Sequence, residues 1–143
     1  MARMARETVI NAAPEKVFEY VADMPRHSEW GQHDLTVNQT SAGAAGVGST
    51  FASVAHQFGV QKETQTVVDY TPGKRFAFDA TGSIGTVRHA FELEPAGGGT
   101  KVTKTMEIVK PSLMARVMGP MIRSKTKAGL AVDLERIKAK LEG

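Results

Sequence analysis

The sequence predicts an α+β fold in which a curved antiparallel sheet of about seven strands wraps around one long C-terminal helix. Three observations predict it. Between residues 33 and 110, strand-like segments alternate with short Gly- and Pro-rich turns, which favours hairpins. Two short helical segments follow the first strand, and residues 111–143 form a long amphipathic segment. Because one face of an antiparallel sheet has to be covered, we expect the long helix to cover it.

Composition places the chain among ordinary globular proteins. Of its 143 residues, 41% are hydrophobic and 23% are charged, which excludes a disordered or fibrous chain. This length predicts one domain over residues 1–143. No apolar run approaches the roughly 20 residues of a transmembrane helix, and no secretory signal is recognisable. The absence of cysteine excludes disulfides and thiolate catalysis, and we expect a cytoplasmic location.

The N-terminal segment predicts one strand and two short helices. Glu7 to Asn11 is typical of a strand, with Val9 and Ile10 at its centre. The next helix should open at Ala13-Pro14-Glu15, because proline is tolerated in the first turn and an acid suits the helix dipole. Asp23-Met24-Pro25 should end it, and residues 25–30 predict a second short helix.

Six further strands are predicted, separated by Gly- and Pro-rich turns. They lie near residues 33–40, 49–58, 60–70, 74–81, 84–94 and 100–110. Alternation in the last two places one set of side chains on a common face of each strand. These sets are Val87, His89, Phe91 and Leu93, then Val102, Lys104, Met106 and Ile108.

The terminal segment predicts a long helix with one buried apolar face. Ser112 can cap its first turn, and Gly119-Pro120 predicts a kink. The apolar positions recur at steps of three and four. They are Leu113, Val117, Met121, Leu130, Leu134, Ile137 and Leu141.

Positive charge is concentrated in the same segment. Residues 112–143 carry seven Lys/Arg against three Asp/Glu, a local charge of +4 within a chain of net +3. A basic helix can bind nucleic acid, but no aromatic platform or groove-reading motif accompanies it. We therefore interpret the charges as a solvated outer face and expect no nucleic-acid partner.

Several motifs resemble the polyketide cyclase/dehydrase and lipid-transport family of the START-related, birch-pollen-allergen-like superfamily (SRPBCC). The resemblance covers essentially the whole chain. It is carried by residues 9–18 with Asp23 and Trp30, by residues 46–50, 68–76, 91–95 and 99–102, and by 134–142. It implies a helix-grip fold with an elongated apolar cavity between the sheet and the terminal helix. Because the superfamily includes binders, transporters and cyclases, fold alone does not assign the function.

Two polar residues are the main candidates for a site in that cavity. His89 alternates with apolar residues and should point inward, where an imidazole can bind a ligand carbonyl or move a proton. The alternative is a histidine satisfied within the structure. Lys104 points inward by the same pattern and would need a partner such as an anionic ligand head group. A one-residue slip in register would instead turn Lys104 to solvent.

Apolar side chains complete the predicted ligand site. For each of them, core packing without a ligand is the alternative. They are Trp30, Phe51, Phe76, Phe78, Phe91, Met106, Met118 and Met121.

The sequence therefore predicts a protein that binds or carries a small hydrophobic ligand, such as a lipid, a quinone or a polyketide-like ring system. The alternative is a cyclase or dehydratase that uses His89 as acid and base, although no established catalytic motif is present. A third class is a module that binds a partner through the basic helix. We expect no cofactor and no metal, and the sequence leaves a homodimer open.

Overall fold

The computed structural model describes residues 3–31, 34–56 and 59–143. It has seven strands, one 3₁₀ helix and three α-helices within these residues. In chain order they are β1 (Arg3–Ile10), α1 (Pro14–Val21), η1 (Met24–Glu29), β2 (Thr36–Gln39), β3 (Thr50–His56), β4 (Val60–Thr71), β5 (Arg75–Gly82), β6 (Gly85–Ala96), β7 (Gly99–Pro111), α2 (Leu113–Val117) and α3 (Gly119–Glu142).

All seven strands form one antiparallel sheet in the order β1-β7-β6-β5-β4-β3-β2. Consecutive strands from β2 to β7 are neighbours, and β1 completes the sheet by pairing with β7. The predicted fold class is therefore confirmed: an open antiparallel sheet, short helices after the first strand and a long C-terminal helix.

The largest boundary errors fall near the chain start. β1 begins at Arg3 and not at Glu7, because β7 is long enough to pair with it from Arg3↔Glu107 to Ile10↔Thr100. β2 covers only 36–39 of the predicted 33–40, and His33 lies outside the described residues. Similarly, β3 ends at His56, and residues 57 and 58 of the predicted strand are outside them. The four remaining strands match within two residues.

The core lies where α1 and η1 cover the sheet. Pro14 occupies the first turn of α1 and Glu15 follows it, as the sequence predicted. The helix buries Val17 and Phe18, and the Phe18 ring meets Tyr70 edge to face at 5.1 Å. Rings from η1 and the sheet continue this core into the centre of the domain.

The predicted terminal helix is broken, and three of the seven positions predicted for its buried face (Leu113, Val117 and Met121) are exposed. Ser112 caps α2 by accepting a hydrogen bond from the Ala115 N–H, as expected. The chain then leaves helical geometry at Met118, and α3 restarts with Pro120 in its first turn. Leu113 and Val117, ahead of this break, are 78% and 74% exposed.

Helix α3 packs against the rest of the domain mainly through its second half. Its buried residues are Leu130, Leu134 and Ile137, and it packs chiefly against β1. Between residues 120 and 129 the least exposed positions, all only partly buried, are Ile122, Thr126 and Gly129. Among the described residues no helix is both long and apolar enough to cross a membrane. The first half of α3 therefore covers the sheet more loosely than the second.

Candidate ligand site between the sheet and helix α3

Cross-strand pairing fixes which side chains face α3. One row runs from Val67 through Phe78 and His89 to Met106. Since partners in register share a face, His89 lies on the same face as the core residue Phe78. In the next row Phe91 lies opposite Lys104, which is 3% exposed. The inward orientation expected for both polar residues is present, and a register slip that exposes Lys104 is excluded.

Lys104 is neutralised from within the protein. Its Nζ lies 3.1 Å from Asp133 Oδ2 of α3, and the two side chains are 4% and 15% exposed. Nζ also lies 4.9 Å from the centre of the Trp30 ring and 5.3 Å from that of Phe91. An ammonium group is costly to bury unless it is paired, and aromatic faces add to the stabilisation. Lys104 therefore has a carboxylate partner within the protein before any ligand binds.

Asp133 changes the chemistry expected at this position. The sequence-based argument gave Lys104 an anionic ligand head group as its partner, but Asp133 removes the need for one. A second carboxylate beside the pair would meet the negative charge of Asp133 in a medium that screens poorly. Reasoning from sequence missed Asp133, although its position was a signal: it is an acid three residues after Leu130 on the buried face of a helix.

His89 is a neutral imidazole whose side chain is only partly exposed. Its ring stacks on Phe78 at 4.8 Å and 9°. Burial lowers its pKa to about 3, helped by the positive charge of Lys104 and by His27. Its Nδ1 is buried and has no hydrogen-bond partner within the described ranges.

His27 of η1 is a second buried histidine, and sequence reasoning did not select it. Its Nε2 lies 2.7 Å from the carbonyl oxygen of Val21, and its ring lies 4.5 Å from Trp30. Burial lowers its pKa to about 3, against the opposing effect of the Val21 hydrogen bond, and Lys104 lowers it further. A neutral Nε2–H can donate a hydrogen bond to the Val21 carbonyl oxygen. His27 is therefore a structural residue of the core.

Three buried polar atoms lack a protein partner in the described part of the chain. They are Trp30 Nε1, Gln65 Oε1 and His89 Nδ1. Such atoms are rare in folded proteins because each one loses its hydrogen bonds to water without replacement. Two of them, on Trp30 and His89, adjoin Lys104, whose charge lies over the Trp30 ring and lowers the pKa of His89. The third lies on β4.

The face beneath α3 is sealed at one end and accessible at the other. At the sealed end Phe76, Phe91 and Val102 are fully buried. Toward the other end His89, Met106 and Ile108 remain partly exposed. We call the space above this accessible half of the sheet the cleft, and the first half of α3 is the helical segment that packs most loosely over the sheet.

The predicted apolar site residues separate into two groups. Phe51, Phe76, Phe78, Phe91 and Trp30 are at most 7% exposed and belong to the packed core. Met106 faces the cleft, whereas Met118 and Met121 are 38% and 45% exposed beside the helix break. Aromatic side chains therefore fill the end near η1, and the methionines of the predicted site are the members that remain partly or largely exposed. Among the residues described, no three or more His, Cys, Asp or Glu side chains are grouped to hold a metal.

The two neutral histidines predict acid sensitivity. Each has a folded pKa of about 3, against 6.5 for an unperturbed histidine. Between these values the unfolded chain binds a proton that the folded chain does not, so stability rises with pH and is lost as the pH falls from about 6.5 towards 3. We expect the free energy of unfolding to drop by up to about 1.4 kcal/mol per pH unit for each histidine. Urea denaturation at pH 7, 6 and 5 measures it.

The variant His89→Gln is the control for this pH dependence. It keeps a polar side chain of similar size and removes one of the two titrating groups, so the slope between pH 6.5 and 5 should fall by about half. An unchanged slope would show that His89 is protonated or solvated in the folded protein.

An open antiparallel sheet with short helices after its first strand and a long C-terminal helix has the helix-grip architecture. The chain belongs to the polyketide cyclase/dehydrase and lipid transport family, whose profile matches residues 1–142. Among curated proteins, none matches the chain significantly. The family assignment therefore depends on the profile, and the similar solved structures bear on the fold alone.

Three solved structures illustrate the likeness. Protein CV1439 from Chromobacterium violaceum is 16% identical with a TM-score of 0.77, over 100% of this chain and 99% of that one. TTHA0849 from Thermus thermophilus is 14% identical with a TM-score of 0.79, over 98% and 97%. The Aha1 dimer from Colwellia psychrerythraea is 21% identical with a TM-score of 0.71, over 99% and 97%. At these identities the likeness is one of fold, and the dimer is a property of the Colwellia protein.

Proposed function

We propose that the protein binds a small, mostly apolar ligand that carries a neutral carbonyl group, with the carbonyl beside Lys104 and the apolar body in the cleft. Lipid esters, quinones and polyketide-like ring systems have this chemistry. The proposal is carried by one observation: Trp30 Nε1 and His89 Nδ1 are buried without a partner among the described residues, beside an ion pair that is already neutral. The family description, polyketide cyclase/dehydrase and lipid transport, supports the ligand class.

The polar atoms favour a carbonyl over a charged head group. Trp30 Nε1–H can only donate a hydrogen bond, so it requires an acceptor oxygen. Neutral His89 offers either a donor or an acceptor at Nδ1, according to its tautomer. A neutral carbonyl oxygen accepts such bonds without adding a negative charge next to Asp133. Apolar burial would supply most of the affinity, at about 25 cal/mol per Å² before the cost of association, and the polar atoms would fix the orientation.

An acid–base enzyme remains the alternative, with less support. A cyclase or dehydratase requires a titrating group whose pKa is near the working pH. His89 is the candidate that the sequence offered, and its pKa of about 3 makes it a weak base and leaves no proton to donate at neutral pH. If the protein did catalyse such a reaction through His89, the variant His89→Gln would abolish turnover and retain binding.

The test of the proposed function begins with native mass spectrometry of freshly purified protein, which should retain a small molecule. Calorimetric titration with methyl decyl ketone should then show saturable binding. Replacing Trp30 with phenylalanine keeps an aromatic ring beneath Lys104 and removes the N–H, so ketone affinity should fall by about three- to tenfold.

The alkane of equal length is the matched control for the carbonyl, because its affinity should not change in Trp30→Phe. The proposal fails if neither a co-purified molecule nor ketone binding is found. It also fails if Trp30→Phe weakens the alkane and the ketone equally. A single domain over residues 1–143, a homodimer and a cytoplasmic location stay predictions.

A further inference from the structure

A second polar group lies on the same inner face, on β4. Gln65 is paired with Phe51 of β3 and with Ala80 of β5, both buried. It is itself 4% exposed, and its Nε2 donates a hydrogen bond of 2.7 Å to Ser53 Oγ. Its Oε1 accepts no hydrogen bond from the described residues. A buried amide that is half satisfied implies that another group completes it.

Glu63 points to the same side two residues earlier. It is paired with Ser53, the hydrogen-bond partner of Gln65. Burial raises the pKa of Glu63. No hydrogen bond or ion pair joins its carboxyl group to any residue that the structure describes. Glu63 therefore adds two further acceptor oxygens beside Gln65 Oε1.

Gly82 at the end of β5 makes room for this carboxylate. A Cβ atom there would lie 2.7 Å from Glu63 Cγ and 2.9 Å from its Oε2. The Glu63 side chain consequently lies across the glycine, along the floor of the sheet. Side chain and glycine together hold a carboxyl group at the end of the inner face opposite to Lys104.

We propose that Gln65 and Glu63 form a second polar subsite, which binds a hydroxyl or amino group at the far end of the same ligand. This inference rests on the proposed function and adds the ligand class: an elongated apolar molecule with a carbonyl at one end and a hydrogen-bond donor at the other. The acceptor oxygens of Gln65 and Glu63 have no donor in the described ranges of the chain and would receive one from such a ligand.

The spacing of the two polar groups fits one molecule. Val87 pairs with Ala80, which pairs with Gln65, so His89 is two strands and two residues away from Gln65. Strand spacing and rise per residue put their Cα atoms roughly 12 Å apart along the sheet. Between them lie Val67, Phe78 and Ala80, an apolar floor for the body of the ligand. An extended chain of about a dozen carbons spans this distance.

Calorimetric titration with methyl decyl ketone and its ω-hydroxy and ω-amino derivatives tests the subsite. We expect at least one derivative to bind the unmodified protein about three- to tenfold more tightly than the parent ketone. Whichever derivative binds more tightly identifies the donor that the subsite accepts. Gln65→Met and Glu63→Met should each remove this advantage and leave the affinity for the parent ketone unchanged.

Two further variants separate the subsite from general effects on the strand. Thr64→Val alters the outward-facing residue between Glu63 and Gln65, so it should keep the full advantage. Gly82→Ala keeps every polar atom but displaces the Glu63 side chain, so it should reduce the advantage as Glu63→Met does. Thermal unfolding of each variant identifies any that fails to fold.

The outcomes distinguish the two proposals. Equal binding of all three ketones to the unmodified protein overturns the subsite and leaves the proposed function standing. An advantage that persists in both Gln65→Met and Glu63→Met also overturns the subsite. If none of the three binds, the subsite is wrong, and the proposed function is wrong as well when no small molecule co-purifies with the protein.

Discussion

Replacing Lys104 with methionine is expected to lower the free energy of unfolding by about 3–5 kcal/mol. The substitution removes the cation and leaves the Asp133 carboxylate in a site where only 15% of its side chain is exposed. It also removes the charge held over the rings of Trp30 and Phe91. Most of the loss is thus the cost of a buried carboxylate that has lost its cation, and not the strength of the ion pair itself. Urea denaturation at pH 7 measures it.

The double variant Lys104→Met with Asp133→Leu is the decisive control. Removing both charges together should restore most of the stability, because replacing a whole buried pair with apolar side chains is often neutral or better. Lys138→Met is the exposed comparison: it breaks the 2.7 Å pair with Glu142 on the same helix and should cost less than about 1 kcal/mol. A loss of similar size for Lys104→Met and Lys138→Met would contradict the buried environment of Lys104.

Strand alternation was enough to place Lys104 and His89, because the side-chain period of a strand is two and the pattern in β6 and β7 is long. The short turns predicted that the successive strands from β2 to β7 are antiparallel neighbours, but nothing in the sequence placed β1 beside β7. Asp133 could not be paired with Lys104 from the sequence. The two are 29 residues apart, and their contact depends on where α3 crosses the sheet.

The terminal helix shows the limit of periodicity. Leu113 and Val117 fit the apolar stripe as well as Leu134 does, yet only Leu134 is buried. The predicted disturbance at Gly119-Pro120 is a break and not a mild kink, because Met118 has φ −103° and ψ 17° and the helix restarts after it. Stripe positions on the two sides of such a break no longer share a face. A hydrophobic pattern predicts which residues can be buried. Which of them are buried depends on the part of the helix that packs against the sheet.

The buried polar atoms that lack a partner among the described residues could not be predicted from the sequence, for a different reason. Trp30 was selected as an aromatic, and Gln65 was not selected at all, because an unpaired donor or acceptor is defined by what surrounds it. The sequence could not show on which face of β4 the Glu63 side chain lies. Polar residues occupy both faces of this strand, and its register shifts between Val67 and Asp69. The register of β4 against β3 resolves it and brings Glu63, Gln65 and Ser53 together.

Two substitutions of the same kind in one helix test whether α3 is clamped at one end only. Ile137→Ala should lower the free energy of unfolding by about 2–5 kcal/mol, because Ile137 is fully buried in the core cluster. Ile122→Ala removes the same atoms from a partly exposed position in the first half of the helix, and it should cost about 1 kcal/mol or less. Urea denaturation of the two variants at pH 7 gives the comparison.

The effects of the same two variants on ligand affinity should have the opposite order: Ile122→Ala should weaken binding, and Ile137→Ala should not. Ile122 lies on the least exposed side of the loosely packed half of α3, so its truncation should weaken binding of methyl decyl ketone by about three- to tenfold. Ile137 lies beyond the accessible half of the sheet, and at a temperature where Ile137→Ala is fully folded its ketone affinity should match that of the unmodified protein. Equal losses of stability in both variants would mean that α3 is packed along its whole length. The space beneath its first half would then be closed, and the ligand would have no site there.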